Sequence, residues 1–344
     1  MDSRLLTPLA TGLDRCHDAT GREMACEDTG QDAAYGLGRR VQGPRFRVNV
    51  MDGEVVEDRL TGLVWTRDAS QGGFPLPWRE ALDLVTQLNA DSAYGRTDWR
   101  LPNRRELRSL VNHGQRKPVL DADHPFTAVF QNWYWTSTTA AKATGYAWRV
   151  HMAGGRMFYG GKDDEAMVWA VAGQSQAIPQ TGQRECYDER GRAMDCEGTG
   201  QDGALRMGVA WPEERFTVLV DDDTAVLDRL TGLLWRVNAD ECGRLTTWKE
   251  ALDTATRAGQ SPAGPWRLPN INELESLVDC SMHDPALPAG HPFENTQEAY
   301  WSSTSSAFEP DWTFNLYLHK GAVGVGYKAK AEFSCWLCAG PVAE

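Results

Sequence analysis

The apolar positions of this chain follow two periods, and both come round twice. Arg45–Trp65 alternates apolar and polar residues about an Asp52-Gly53 turn and then meets a second turn at Thr61-Gly62, the pattern of an antiparallel hairpin. From Trp78 to Leu88 the spacing becomes helical, and the matching segment opens at Thr247 with Glu250 three residues on, a capping-box signature. Asn103 with Glu106, and Asn270 with Glu273, repeat that signature at a second helix. Pro102 and Pro269 stop the extended segment before each of these helices. Towards the end of each half, Ala147–Lys162 and Asp311–Lys328 return to period two and predict strand pairs.

These elements belong to one unit present in two copies. "TGLDRCHDATGREMACEDTGQD" at Thr11–Asp32 returns as "TGQRECYDERGRAMDCEGTGQD" at Thr181–Asp202, and "DRLTGLVW" at Asp58–Trp65 returns as "DRLTGLLW" at Asp228–Trp235. "DWRLPNRRELRSLV" (Asp98–Val111) matches "PWRLPNINELESLV" (Pro265–Val278), "HPF" at His124 recurs at His291, and "YWTST" at Tyr134 recurs as "YWSST" at Tyr300. Repetition of this kind places one copy at 1–174 and the other at 175–344, with a polar linker at Gly173–Gln180. A length of 344 residues also exceeds what a single core organises.

Charge separates the copies that sequence unites. The net charge of −13 argues against nucleic acid or an anionic membrane surface as partner, since both reward a basic face. Residues 1–174 carry 21 basic against 22 acidic side chains, and residues 175–344 carry 14 against 26. No run approaches the length of a membrane span, so no membrane insertion is expected.

Eight cysteines suggest an oxidising compartment. Cys16 and Cys26, and Cys186 and Cys196, lie ten residues apart around Gly21 and Gly191, where opposed hairpin strands bring two sulfurs within bonding reach. Cys242 and Cys280 occur only in the second copy and are expected to bridge each other. Cys335 and Cys338 replace Val168 and Val171; their CxxC spacing admits a redox reading, but the surrounding pattern is that of a terminal strand, and their pairing stays open. The start, MDSRLLTPLATG, has neither a basic n-region nor an apolar h-region, and reads as the beginning of a mature sequence.

No nucleophile elbow, zinc helix, phosphate loop or dinucleotide fingerprint stands in a credible context, so neither a catalytic site nor a cofactor is assigned. His124 and His291 read as structural. The acidic runs Asp163–Glu165 and Asp221–Asp223 read as solvated turn charges rather than calcium ligands, and no metal site is assigned. The tryptophans Trp65, Trp78, Trp99, Trp135 and Trp148, matched with Trp235, Trp248, Trp266, Trp301 and Trp312, read as core.

The run "TGL(V/L)W … W(R/K)EAL … WRLPNxxEL … HPF … YWxST" resembles the Lcl C-terminal domain family over nearly all of both copies except the cysteine hairpin. The resemblance implies an α+β fold of two tandem C-type-lectin-like domains, each with a disulfide hairpin, two helices and a twisted antiparallel sheet. It also implies export to the periplasm, cell surface or medium. Relatives bind glycosaminoglycans or serve as variable ligand-binding proteins, including targets of diversity-generating retroelements. An adhesin-type function is therefore expected, with an extracellular protein or glycan as ligand; the alternatives are an exported oxidoreductase using Cys335 and Cys338, or a purely structural surface protein. One departure from the glycosaminoglycan binder is the acidity of the second copy.

Alternation in the late strands places candidate ligand residues on the face turned from the core. These are Arg149, His151 and Arg156 in the first copy, and Thr313, Asn315, Tyr317, His319 and Lys328 in the second. The second set, mixing Tyr, Asn, His and Thr, has the composition of an adaptable binding surface.

Overall fold

Each copy of the DRLTG sequence folds into the same tight turn, and its aspartate holds that turn to the rest of the domain. In the computed structural model, which describes residues 5–49, 53–220 and 222–341, Asp58 accepts hydrogen bonds from the Leu60 amide and the Thr61 hydroxyl, and Arg45 grips both its oxygens at 2.9 and 2.7 Å. Arg215 grips Asp228 in the same way and donates onward to the Ser276 carbonyl, as Arg45 does to Ser109. Gly62 and Gly232 carry φ of 76°, the left-handed region that the turn requires. Asp52 of the expected hairpin turn and Asp221 of the acidic run lie outside the described residues.

The WRLPNxxEL motif is a second repeated lock. Asn103 caps the helix Arg104–Arg108 and Asn270 caps Ile271–Ser276, each within a complete capping box. The glutamate of each box also receives a buried arginine: Arg100 reaches Glu106 at 2.5 Å, and Arg267 reaches both oxygens of Glu273 at 2.6 Å. The longer helices, Trp78–Ala90 and Trp248–Arg257, lie over the cores. Their tryptophans donate from the indole N–H to the Thr136 and Ser302 carbonyls.

The chain divides into two compact units whose boundaries do not follow the repeats at 1–174 and 175–344. Unit 2 is Arg40–Ala210; unit 1 joins Met1–Arg39 to Trp211–Glu344. The first cystine hairpin therefore belongs with the second copy's domain, and the second hairpin with the first copy's domain.

In unit 2, Trp133–Thr139 pairs antiparallel with Tyr146–His151, which pairs with Met157–Gly161; Glu165–Val168 runs parallel to Trp133–Thr139 and pairs on its other side with Gln71–Pro77. A smaller sheet is formed by Phe46–Val48, Val55–Asp58, Val64–Thr66 and Val171–Ala172. In unit 1 the strands Tyr300–Ser305, Trp312–Tyr317 and Ala322–Tyr327 form the corresponding meander, and Phe216–Val218, Ala225–Asp228, Leu234–Arg236 and Cys338–Ala339 the smaller sheet. The class is α+β.

Strand register corrects one expected match. Trp135 lies opposite Arg149, and Trp301 lies opposite Asn315. The counterpart of Trp148 is therefore Phe314 and not Trp312, which occupies the place of Tyr146. A further buried tryptophan pair, Trp169 and Trp336, packs edge-on against Phe126 and Phe293 of the HPF turns. His124 and His291 stack on those same phenylalanines, which fits a structural role.

Candidate functional site

Both hairpins are closed by disulfides, Cys16–Cys26 and Cys186–Cys196. Within each, a glutamine clamps the strand after the first cysteine: the Gln31 amide accepts from the His17 N–H and donates to its carbonyl, and Gln201 does the same for Tyr187. The hairpins seat through three contacts that recur almost unchanged. Asp32 accepts a 2.7 Å bond from the Thr304 hydroxyl, and Asp202 one of 2.7 Å from Thr138. The Lys328 ammonium donates to the carbonyls of His17 and Asp18 and lies 4.1 Å from the Trp248 ring, while Lys162 donates to those of Tyr187 and Asp188 and lies 4.1 Å from Trp78. Gly21 and Gly191 press backbone to backbone, for a Cβ there would come within 2.9 Å of the Asp311 nitrogen or 2.6 Å of the Gly145 nitrogen.

Burial dominates the ionisation of these groups. It raises Asp32 and Asp202 to about 6 against their threonine bonds, and lowers Lys328 to about 7 and Lys162 to about 8. Lys328 was expected on an exposed binding face. It is instead fully buried, because the hairpin carbonyls and the Ser305 hydroxyl take its ammonium.

The other expected face residues of the second copy divide. Thr313 and Asn315 are fully buried and cannot meet a ligand. Phe333 explains this: its ring packs edge-on against Trp301 at 4.5 Å and against Tyr317 at 5.8 Å, covering the side of the strand that alternation turned from the core. Thr313 spends its hydroxyl on the Thr304 carbonyl, and neither amide atom of Asn315 has a hydrogen-bond partner. Tyr317 and His319 stay half-buried. His319 borders a cleft of about 200 Å³ with Asp284, Gln297 and Glu298.

In unit 2 the same sheet face is built differently. Ala166 stands at the position of Phe333, and Trp133 at that of Ala299. The Arg149 guanidinium lies 5.1 Å from the Trp133 ring and 5.6 Å from that of Trp135, with Asp164 at 3.4 Å. Its side chain is 19% exposed and its Nε has no partner, so burial lowers its pKa while Asp164 opposes the shift. His151 meets the edge of Trp133 at 4.7 Å and its Nδ1 contacts the Ala153 carbonyl. Arg156 is exposed close by and, with Arg149, helps hold His151 below the ordinary histidine range, although burial is the larger cause. The structure thus brings Arg149, His151 and Arg156 together. Sequence reasoning missed Trp133, the half-exposed ring at the centre; its only signal was a tryptophan without a counterpart in the other copy.

A second difference lies on the smaller sheets. A groove of about 330 Å³ in unit 2 is edged by Arg47, Asn49, Glu57, Val64 and Arg96. Unit 1 has Thr217, Leu219, Leu227 and Leu234 at the first four of these positions.

The remaining cysteines pair otherwise than expected. Cys242 bridges Cys335 across 93 residues, not Cys280, whose buried thiol stays outside the bridge. Cys335 sits on the segment carrying Phe333, and the Phe333 carbonyl accepts from the Thr246 amide, which brings that segment to the loop holding Cys242. Cys335 and Cys338 therefore form no dithiol pair. The Cys338 sulfur lies 3.8 Å from Glu273 and is fully buried, which drives its pKa well above the thiol range and denies it thiolate character. Among the described residues no group of three or more His, Cys, Asp and Glu could hold a metal ion, and no helix is long and apolar enough to cross a membrane.

Fold and site together define a disulfide-bonded α+β protein with a duplicated domain. The chain belongs to the Lcl C-terminal domain family, whose model matches residues 54–172 and again 224–339. No curated protein matches the chain.

Proposed function

We propose that this is an exported, adhesin-type ligand-binding protein of C-type-lectin-like fold, acting by binding rather than catalysis, with its ligand on the unit 2 face formed by Trp133, Arg149, His151 and Arg156. The observation that carries this reading is the contrast at equivalent positions: Phe333 covers the face in unit 1, whereas unit 2 leaves an arginine with an unpaired Nε against a half-exposed tryptophan. A ring platform beside guanidinium and imidazole groups suits a glycan carrying negative charge, since stacking takes the sugar face and the arginine fork takes an anionic oxygen. Three disulfides suit an oxidising location outside the cytosol. A diversified face on Trp312–Tyr317 is a poorer reading, because Thr313 and Asn315 are buried there.

The test is a panel of immobilised neutral and anionic glycans and surface proteins, probed with the oxidised chain. Arg149→Ala with His151→Ala should weaken capture of the best anionic ligand at least tenfold and leave the melting temperature within a few degrees. A Tyr317→Ala, His319→Ala variant should bind as the parent does. Undiminished capture by the folded Arg149 variant would remove the site from this face.

A further inference from the structure

We propose that the seat for the cystine hairpin is a self-recognition site, through which one copy of this chain joins a second copy by exchanging hairpins. Within one chain the second hairpin seats on the domain just before it, 25 residues from lysine to carbonyl, and the first on a domain 311 residues away, so the seat does not depend on the hairpin and the domain being neighbours in sequence. What the seat recognises is the same in both cases: an aspartate for a threonine hydroxyl, two successive carbonyls for a lysine, and a glycine backbone. Where the hairpins differ, as at His17 against Tyr187, both residues still offer the lysine a main-chain carbonyl, and the Tyr187 ring adds only a distant contact 6.0 Å from the Lys162 ammonium. The seat in unit 1 therefore accepts the hairpin of any copy of this chain.

The hairpin is also built to survive without its seat. Its disulfide, its glutamine clamp and the turn in which Asp18 accepts from the Thr20 and Arg22 amides lie within residues 16–31. It presents a pre-formed surface, so little ordering entropy opposes docking on another molecule. Exchange between copies recovers every contact and forfeits only the effective concentration supplied by the connecting segment, which is why swapping is a low-cost route to assembly. Exchange is then favoured where copies are crowded as they fold.

Two full-length variants test this. Asp32→Arg puts a charge where the Thr304 hydroxyl needs an acceptor, leaving an intact seat without its hairpin. Lys328→Glu turns a carboxylate towards the His17 and Asp18 carbonyls, leaving an intact hairpin without its seat. Each alone should run as a monomer in light scattering, and an equimolar mixture should double in mass as a one-to-one heterodimer. An excess of the oxidised peptide 5–39 should block that doubling. Two folded variants that stay monomeric when mixed would overturn the proposal. Should either variant fail to fold, two differently tagged unmodified chains are co-refolded from urea with disulfides intact. A mixed dimer whose fraction rises with concentration is expected, and its absence at the highest soluble concentration overturns the proposal equally.

Discussion

Four equivalent positions on the two meander sheets read Trp133, Arg149, His151 and Ala166 in unit 2, and Ala299, Asn315, Tyr317 and Phe333 in unit 1. The scaffold beneath them is the same, with Trp135 and Trp301 fully buried and bonded through their indole N–H groups to the Leu76 and Thr246 carbonyls. In unit 1 the large ring comes from the terminal segment and closes the face. In unit 2 it comes from the first strand of the meander, and an arginine lies against it. The contrast shows that duplication held the buried polar locks fixed and let the cover of one sheet face change. It also explains why the Arg–Glu pair, the Asp–Thr seat and the lysine anchor recur while net charge does not.

The locks should fail alike in both units. Glu273→Ala strands Arg267 in a buried site and should cost about 3–5 kcal/mol, and Glu106→Ala should cost as much in unit 2. Urea unfolding followed by tryptophan fluorescence measures both, and a loss below 1 kcal/mol in either unit would break the equivalence.

Hairpin changes should cross the repeat boundary. Replacing Cys16 and Cys26 by serine opens a ten-residue loop and should cost roughly 2–3 kcal/mol. Hydrogen exchange should show the loosening at residues 211–341, with residues 40–210 unaltered. Loosening confined to 40–172 would contradict the exchanged seating.

The anchors also differ in titration. Lys328 is lowered to about 7 and Lys162 to about 8 from the ordinary 10.5, so the unfolded chain binds more protons between those values and stability rises with pH. That contribution is complete above 10.5 and is lost as pH falls through 7 for Lys328, or through 8 for Lys162. Asp32 and Asp202 act oppositely: raised from 3.8 to about 6, they favour the fold fully below 3.8 and lose that contribution as pH rises through 6. Against the parent, Lys328→Met should flatten the rise in melting temperature between pH 7 and 10, and an unchanged slope would show that Lys328 is charged in its seat.

The smallest effect concerns Asn315. Both its amide atoms are buried without partners, so Asn315→Val should stabilise the chain by about 1–2 kcal/mol. Destabilisation would mean that an ordered water satisfies the amide.

Whatever depended on near neighbours was legible in the sequence. Capping boxes at Asn103, Thr247 and Asn270 need residues three apart, the DRLTG turn closes on its own aspartate, and a ten-residue loop around a glycine brings Cys16 to Cys26 without help from the rest of the chain. Repetition of these local signals also revealed the duplicated domain and its family. Alternation correctly separated the two faces of Trp312–Tyr317, but it carried no information on what covers each face. Only the fold brought Phe333 against Trp301 and Tyr317, Cys335 to Cys242 and the hairpin carbonyls to Lys328. Those partners lie tens to hundreds of residues apart, and chain geometry at that separation is set by packing of whole elements. For the same reason the repeat boundary could not disclose that each hairpin rests on the other copy's domain: both seats present the same threonine, lysine and backbone, and sequence alone cannot tell which of two identical seats a hairpin fills.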